Sequence, residues 1–370
     1  MLMNSEKKDI NNDYDIMIIG GGPSGLSTLM HLQQNAPELA SRCILIEKEK
    51  YPRQKICGGA VGGWAENILN NLNIKLKINL LMIDIVECNF GNKKYTLNER
   101  NYFRMVDRKE FDYFLAKEAI KKGLKINQNE KFIDFKRDGK NITVETDKNK
   151  YNVKVLVGAD GSLSKIRNKI NIHNGKLAPA FEIILPIVNQ YGNEFHGKKV
   201  IFDFTPIKSG IDGYIWHFPC LIDKKPYMNH GMVNFIISQN SFKINMKKIF
   251  LDSLEKRNIE NLNMSLLGHP IRCYLEKDNL SEKNVLLIGD AAGIESATGG
   301  GIHLALSYGE LAANSIIHSF KTNNFLFNNY KDDFNNSLTG RYIKKLSILS
   351  NQIYSKKKDP LSSIEKIFVK

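Results

Sequence analysis

No apolar run in this 370-residue chain reaches the roughly 18 residues that cross a bilayer, so no membrane-spanning helix organises it. The opening stretch, Met1 to Asn12, has no apolar secretion core and reads as a frayed leader on a cytoplasmic protein. Cysteine is scarce: Cys43, Cys57, Cys88, Cys220 and Cys273 are odd in number and never spaced C-x-x-C. That excludes a zinc knuckle, argues against a disulfide framework, and leaves free thiols in a reducing compartment with no metal site. Internal repeats and long low-complexity linkers are absent too. The formal charge of +14 would suit anionic partners. However, no recognised nucleic-acid motif goes with it, and the lysines are scattered among asparagines. Generic surface lysine accounts for the surplus, with no nucleic-acid partner. A hydrophobic content of 42% is ordinary for a globular protein, and the length allows two domains.

What is present begins at Asp15. Ile16–Ile19 is short, β-branched and stopped by glycines, which predicts a buried parallel strand. Gly20, Gly22 and Gly25 follow in G-x-G-x-x-G spacing, with Ser24 among them, and a helical run covers Leu26 to Leu32. The first glycine allows a sharp turn, the second lets a pyrophosphate approach the backbone, and the third lets helix and strand lie close. Phosphates would sit at the positive end of that helix. A second strand, Cys43–Ile46, ends at Glu47, 22 residues beyond Gly25. An acid so placed can accept hydrogen bonds from an adenosine ribose, so the spacing predicts dinucleotide binding.

Further along, Tyr51 to Ala60 reads as a loop leading into a helix over Trp64 to Leu72. Gly58 and Gly59 permit backbone close to a flat ring, while Arg53 and Lys55 can reach phosphates. Strands are expected over Ile83–Phe90 and Lys94–Leu97 around Gly91-Asn92, and again between Ile126 and Asp147. Between these, Asp107 is a candidate N-cap with Glu110 as its capping-box partner, opening a helix to about Lys122. An apolar strand from Tyr151 ends in Gly158-Ala159-Asp160-Gly161. From Ala178 to Tyr274 strand-like runs dominate (180–188, 199–204, 214–218, 231–237), with one helical run near Asn245–Lys256. Alternation puts Tyr214, Trp216 and Phe218 on one face, fit to line an apolar pocket or to pack a core. His217 points the other way, as a structural or exposed residue. Asn284–Ile288 is a further apolar strand, running into Gly289-Asp290-Ala291-Ala292-Gly293 and then Thr298-Gly299-Gly300-Gly301-Ile302.

Glu47-Lys48 at a strand end, Arg53 with Cys57-Gly58-Gly59, Asp107-Arg108 with Phe111-Asp112, Asp160-Gly161, Tyr214-x-Trp216-x-Phe218-Pro219 and the Asp290 turn follow one another in order. As a set they resemble the geranylgeranyl reductase family of flavoproteins, whose fold is that of the aromatic hydroxylases. The resemblance spans roughly residues 14 to 335. It implies an α/β fold in which a Rossmann-type FAD-binding domain (14–77, 104–175, 280–335) carries an inserted antiparallel β-sheet substrate domain (78–103, 176–279). A C-terminal helical region (336–370) follows. Gly20, Gly22, Ser24, Gly25, Glu47, Lys48, Arg53, Cys57, Gly58 and Gly59 would hold the cofactor together with Arg108, Asp160, Gly161 and Asp290. Gly301 and Ile302 would open a helix aimed at the flavin's pyrimidine edge, where its positive end stabilises negative charge on the reduced ring.

The implied reaction is reduction of isolated carbon–carbon double bonds in an apolar, isoprenoid-type or lipid substrate, with hydride from reduced FAD. The proton would come from Cys57, a tyrosine or water, since a cysteine thiol can act as a general acid. Only one G-x-G-x-x-G is present, so electrons come from an external donor: NADPH, a ferredoxin or a separate reductase. The same fold also serves flavin monooxygenases and halogenases, and a non-catalytic flavin- or lipid-binding protein is a third reading. Two departures stand out. Ile294-Glu295-Ser296-Ala297 lacks the family's usual proline and is one residue short, and Cys220 follows Phe218-Pro219 where a lysine is common. At the C-terminus Ile343, Leu346, Leu349 and Ile353 recur at helical spacing beside Lys344, Lys345 and Lys356–Lys358. That helix packs on its own protein or, alternatively, makes a basic peripheral contact with lipid headgroups.

Overall fold

The computed structural model describes residues 10–11, 13–170, 176–187, 193–237, 244–259, 265–354 and 360–368. Most of the Met1–Asn12 leader and the Lys356–Lys358 cluster lie outside them.

Strand Ile16–Ile19 is buried at every residue and sits near the middle of a six-stranded sheet. It pairs in parallel with Cys43–Ile46 on one side and Val155–Gly158 on the other. Lys125–Asn127 extends the sheet beyond Cys43–Ile46, and Val285–Leu287 extends it beyond Val155–Gly158. A single antiparallel partner, Ser281–Glu282, closes the edge. Strands buried on both faces must be apolar throughout, and each fully buried Ile or Leu contributes about 1.5–3 kcal/mol. This explains why these strands read as continuous apolar runs.

Helix Pro23–Asn35 follows the first strand and lies against helix Gly301–Thr322. The approach is close: a Cβ on Gly309 would come within 2.4 Å of Ser27 Oγ, and that hydroxyl donates to Leu306 O at 2.6 Å. Both helices therefore start at the carboxyl ends of the parallel strands, with their N-termini side by side.

An eight-stranded sheet carries the other half of the molecule. Its central run is Ala180–Pro186, Lys225–Asn234, Gly213–Ile222, Lys199–Asp203, Leu80–Phe90 and Lys93–Val106. It is antiparallel except where Lys199–Asp203 meets Leu80–Phe90 in parallel. The strands outrun the periodicity estimates. Lys93–Val106 continues through Arg104 to the very residue before Asp107, and the strand expected to begin at Gly231 begins at Lys225. Helix Met246–Glu255 covers the sheet's far face through Phe250 and Leu254.

Two helices close the chain, Leu338–Tyr354 and Leu361–Phe368. Ile343 joins the core of the six-stranded half, while Leu346, Leu349 and Ile353 join that of the eight-stranded half. The apolar stripe is thus spent on the protein's own two cores. Phe368 packs on Phe202 and Tyr102, and its carbonyl accepts from Tyr102 OH at 3.1 Å.

Candidate active site

The glycine turn sets the scale of the site. Gly20 has a left-handed φ of +112°, and a Cβ there would sit 2.2 Å from Ala159 O. A Cβ on Gly25 would meet Gly20 O at 2.1 Å, so both positions are closed to side chains. Gly22 differs: its nearest neighbour is the Arg53 guanidinium at 3.9 Å, and the space beyond is open. That is the geometry a phosphate cradle needs, at the unpaired N–H groups where helix Pro23–Asn35 begins. The Glu47 carboxylate accepts the Gly21 N–H at 2.9 Å and pairs with Arg53 Nε at 3.3 Å, fixing the turn against the second strand's end. Lys48 is exposed, beside Glu49 at 3.8 Å.

A cavity of about 1740 Å³ opens from this turn, and every residue singled out in the sequence as a site residue except Gly25 lines it. Gly25 lies one layer behind. The cavity is larger than the ~300–1,000 Å³ of a pocket for one small ligand, leaving room for two.

Arg53 and Arg108 both line it, yet their guanidinium groups are tied to one buried acid. Arg108 makes a bidentate pair with Asp112, Nε to Oδ1 at 2.9 Å and a terminal nitrogen to Oδ2 at 3.0 Å. Arg53 reaches Asp112 Oδ2 at 3.2 Å and Gly21 O at 3.2 Å. Burial opposes the charge on Arg108, but Asp112 and Cys57 together outweigh it and raise the guanidinium above its ordinary value. Asp112, wholly buried, was not among the expected site residues, although its place four residues after Arg108 on a helix is the signal of a pair. Arg108 also reaches the Cys57 side chain. Asp107 caps the helix, accepting from Lys109 N at 2.9 Å. The expected capping box does not form: Glu110 turns to the Asn79 backbone and side-chain N–H groups at 3.2 Å, a tertiary partner that displaces the local one.

On the opposite wall, Asp160 Oδ2 accepts from Lys165 N at 2.8 Å, while its buried Oδ1 has no partner among the described residues. Burial raises this carboxyl above its ordinary range. An acid with one free buried oxygen in the wall of a nucleotide-sized cavity fits a cofactor hydroxyl. Behind it Arg167, fully buried, donates to Ala291 O at 3.1 Å and pairs with Asp278 at 2.5 Å. It thereby ties the helix after Asp160-Gly161 to the Asp290 turn. Asp290 itself stands 3.8 Å from where a Gly301 Cβ would be, beside the start of helix Gly301–Thr322.

The aromatic face is real and buried. Phe218 lies 3.0 Å from where a Gly58 Cβ would be, so the Cys57-Gly58-Gly59 turn rests on the rings of Phe218 and Trp216. Trp216 Nε1 donates to Asn229 Oδ1 at 2.8 Å, and Asn229 Nδ2 donates to Glu182 Oε2 at 3.1 Å. Glu182 Oε1 accepts the Cys57 N–H at 3.2 Å. This buried chain of partners joins the cysteine turn to the eight-stranded sheet, and nothing local in the sequence signals it. Tyr214 OH donates to Thr298 O. His217 is buried on the sheet's other face, its Nδ1 2.7 Å from His230 Nδ1, so its role is structural. Lys55 donates to His269 Nε2 at 3.1 Å, and burial lowers its pKa.

Residues 13–184 match the family described as "FAD binding domain". The digeranylgeranylglycerophospholipid reductase of Methanocaldococcus jannaschii is 26% identical over 329 residues, 86% of this chain and 80% of that one. A geranylgeranyl bacteriochlorophyll reductase-like protein of Thermoplasma acidophilum has the same fold, with a TM-score of 0.73 at 18% identity over 97% of this chain and 96% of that one. The halogenase PltM, solved with phloroglucinol and FAD, shares the fold with a TM-score of 0.70 at 13% identity, over 93% of this chain and 76% of its own. No helix among the described residues is long and apolar enough to cross a membrane. A glycine cradle, a free buried acid and a double-sized cavity inside an FAD-binding match together make this chain an FAD-dependent oxidoreductase, similar to the geranylgeranyl reductases.

Proposed function

We propose that this protein reduces carbon–carbon double bonds in the isoprenoid chain of a lipid. The observation that carries this reading is the size of the cavity and what lines it. One cavity is lined by Gly22 at the glycine turn and by Tyr214, Trp216, Phe218 and Phe368. A cofactor held at the glycine turn would leave the part lined by these aromatic rings for an apolar chain. We assign FAD to Gly20, Gly22, Ser24, Gly25, Glu47, Arg53, Arg108, Asp160, Gly161, Asp290, Gly301 and Ile302. Two of these assignments differ in kind. Arg108 acts by holding Asp112 and the Cys57 turn, and Gly25 acts by letting helix and strand close. We also assign residues on either side of the eight-stranded sheet's cavity face to the substrate, and the parallel sheet with its helices to the cofactor.

FAD bound there supplies a hydride donor. The chain's own part is to orient the alkene on the Trp216 and Phe218 rings, exclude water, and offer a proton from Cys57 Sγ. Electrons come from a separate donor, NADPH or a protein reductant. Leu163, Leu267 and Leu338 line the cavity yet are 59%, 50% and 67% exposed, which supports uptake of substrate at a lipid surface.

The test is turnover of a geranylgeranyl phospholipid by chemically reduced holoprotein without oxygen. The expected product gains two hydrogens for each double bond lost. Cys57→Ser keeps its FAD and loses about a hundredfold in rate. An oxygen-dependent hydroxylated or halogenated product would contradict the reading.

A further inference from the structure

The loop between the Asp290 turn and helix Gly301–Thr322 lacks proline, and something else must hold its shape. Glu295 does so, with a carboxylate only 1% exposed. It accepts the N–H groups of Ala297 at 2.5 Å, Thr298 at 2.9 Å and Gly300 at 2.6 Å, and the Thr298 hydroxyl at 2.6 Å. Among the described residues no cation pairs with it. The carbonyls of the same loop are taken from elsewhere: Gly293 O by Tyr308 OH at 2.9 Å, Ser296 O by Ser350 Oγ at 3.0 Å, Ala297 O by Tyr354 OH at 2.7 Å and Thr298 O by Tyr214 OH. Thr298, Gly299 and Gly300 line the cavity.

We infer that Glu295 is a positioning residue that also tunes the cofactor, its carboxylate lowering the midpoint potential of bound FAD. The argument is electrostatic. A bare helix N-terminus presents about half a positive charge and favours negative charge beside it. Here a buried carboxylate accepts the N–H of the Gly300 cap and two N–H groups of the loop just before it, and offsets the field. Reduced FAD is more negative than oxidised FAD, so it gains less, and the bound cofactor becomes a stronger reductant. The inference rests on FAD binding and not on which alkene is reduced, and it is tested without substrate.

The experiment is spectroelectrochemical titration of the full-length holoprotein. Glu295→Gln is expected to raise the preference for reduced over oxidised FAD about tenfold, a rise of about 30 mV for a two-electron couple. Tyr354→Phe loosens the same loop and keeps the charge, so it weakens FAD binding and leaves the potential in place. Thr298→Val keeps the carboxylate and strips one donor from it, so the potential falls. An unchanged potential in Glu295→Gln, or an equal rise in Tyr354→Phe, overturns the inference. If Glu295→Gln does not retain FAD, the Thr298→Val shift decides: a fall supports the inference, while no change or a rise overturns it.

Discussion

Asp112 holds two arginines from different parts of the chain, one that reaches the Cys57 side chain and one that reaches the glycine turn at Gly21 O. Replacing one member of a buried ionic cluster leaves its partners uncompensated, at a cost of about 3–5 kcal/mol. Asp112→Asn is therefore expected to lower the unfolding free energy obtained from urea titration by that amount, where breaking a solvent-exposed pair would barely move it. The second and third glycines of the cradle separate folding from binding. Gly25→Ala drives a methyl into Gly20 O and destabilises the protein. Gly22→Ala meets open space, so it keeps the denaturation midpoint and weakens FAD binding, as an FAD titration will read. Equal loss of stability in both variants would contradict this division. At this scale the sequence was most informative where chemistry is local: Gly20 and Glu47, read from spacing, and Asp290, read from the resemblance, all line the one cavity. Glu182, Asn229 and Glu295 were invisible, because their partners come from other strands or from a loop whose shape the missing proline left undefined.

Among the elements, the long strands were harder to read than the short ones. Ile16–Ile19, Cys43–Ile46 and Val155–Gly158 are buried throughout and stop at a glycine or at Glu47, so their limits are written in composition. The strands of the larger sheet have one face against the cavity and carry residues such as Arg104 and Asn229 whose polarity is answered by tertiary partners, which hides their length. His217 and His230 face each other across two of these strands. Burial, with Arg257 and His230 adding to it, drives His217 well below its ordinary value, and burial takes His230 down to about 3. The unfolded chain therefore binds more protons than the folded one between about pH 6.5 and 3. Stability is full above that window and is lost as pH falls through it, by up to about 1.4 kcal/mol per pH unit for each imidazole. Urea midpoints measured across this range should fall with acid, and His230→Gln should flatten the slope. An equally steep slope in the variant would assign the acid lability elsewhere.

For the whole molecule, two helix N-termini and three turns from distant parts of the chain meet at one cavity, and the C-terminal helices close it. The order of the Gly/Asp turns announced that convergence, whereas the docking of Phe368 onto the substrate sheet could not be read from a helical stripe alone. The most direct test is the oxidative half of the flavin's cycle run once: reduced holoprotein mixed with a geranylgeranyl phospholipid in the absence of oxygen, followed by flavin absorbance. The account predicts that the oxidised spectrum returns on mixing, in step with loss of one double bond per FAD. A flavin that stays reduced with that lipid, and reoxidises only when oxygen is admitted, would contradict it.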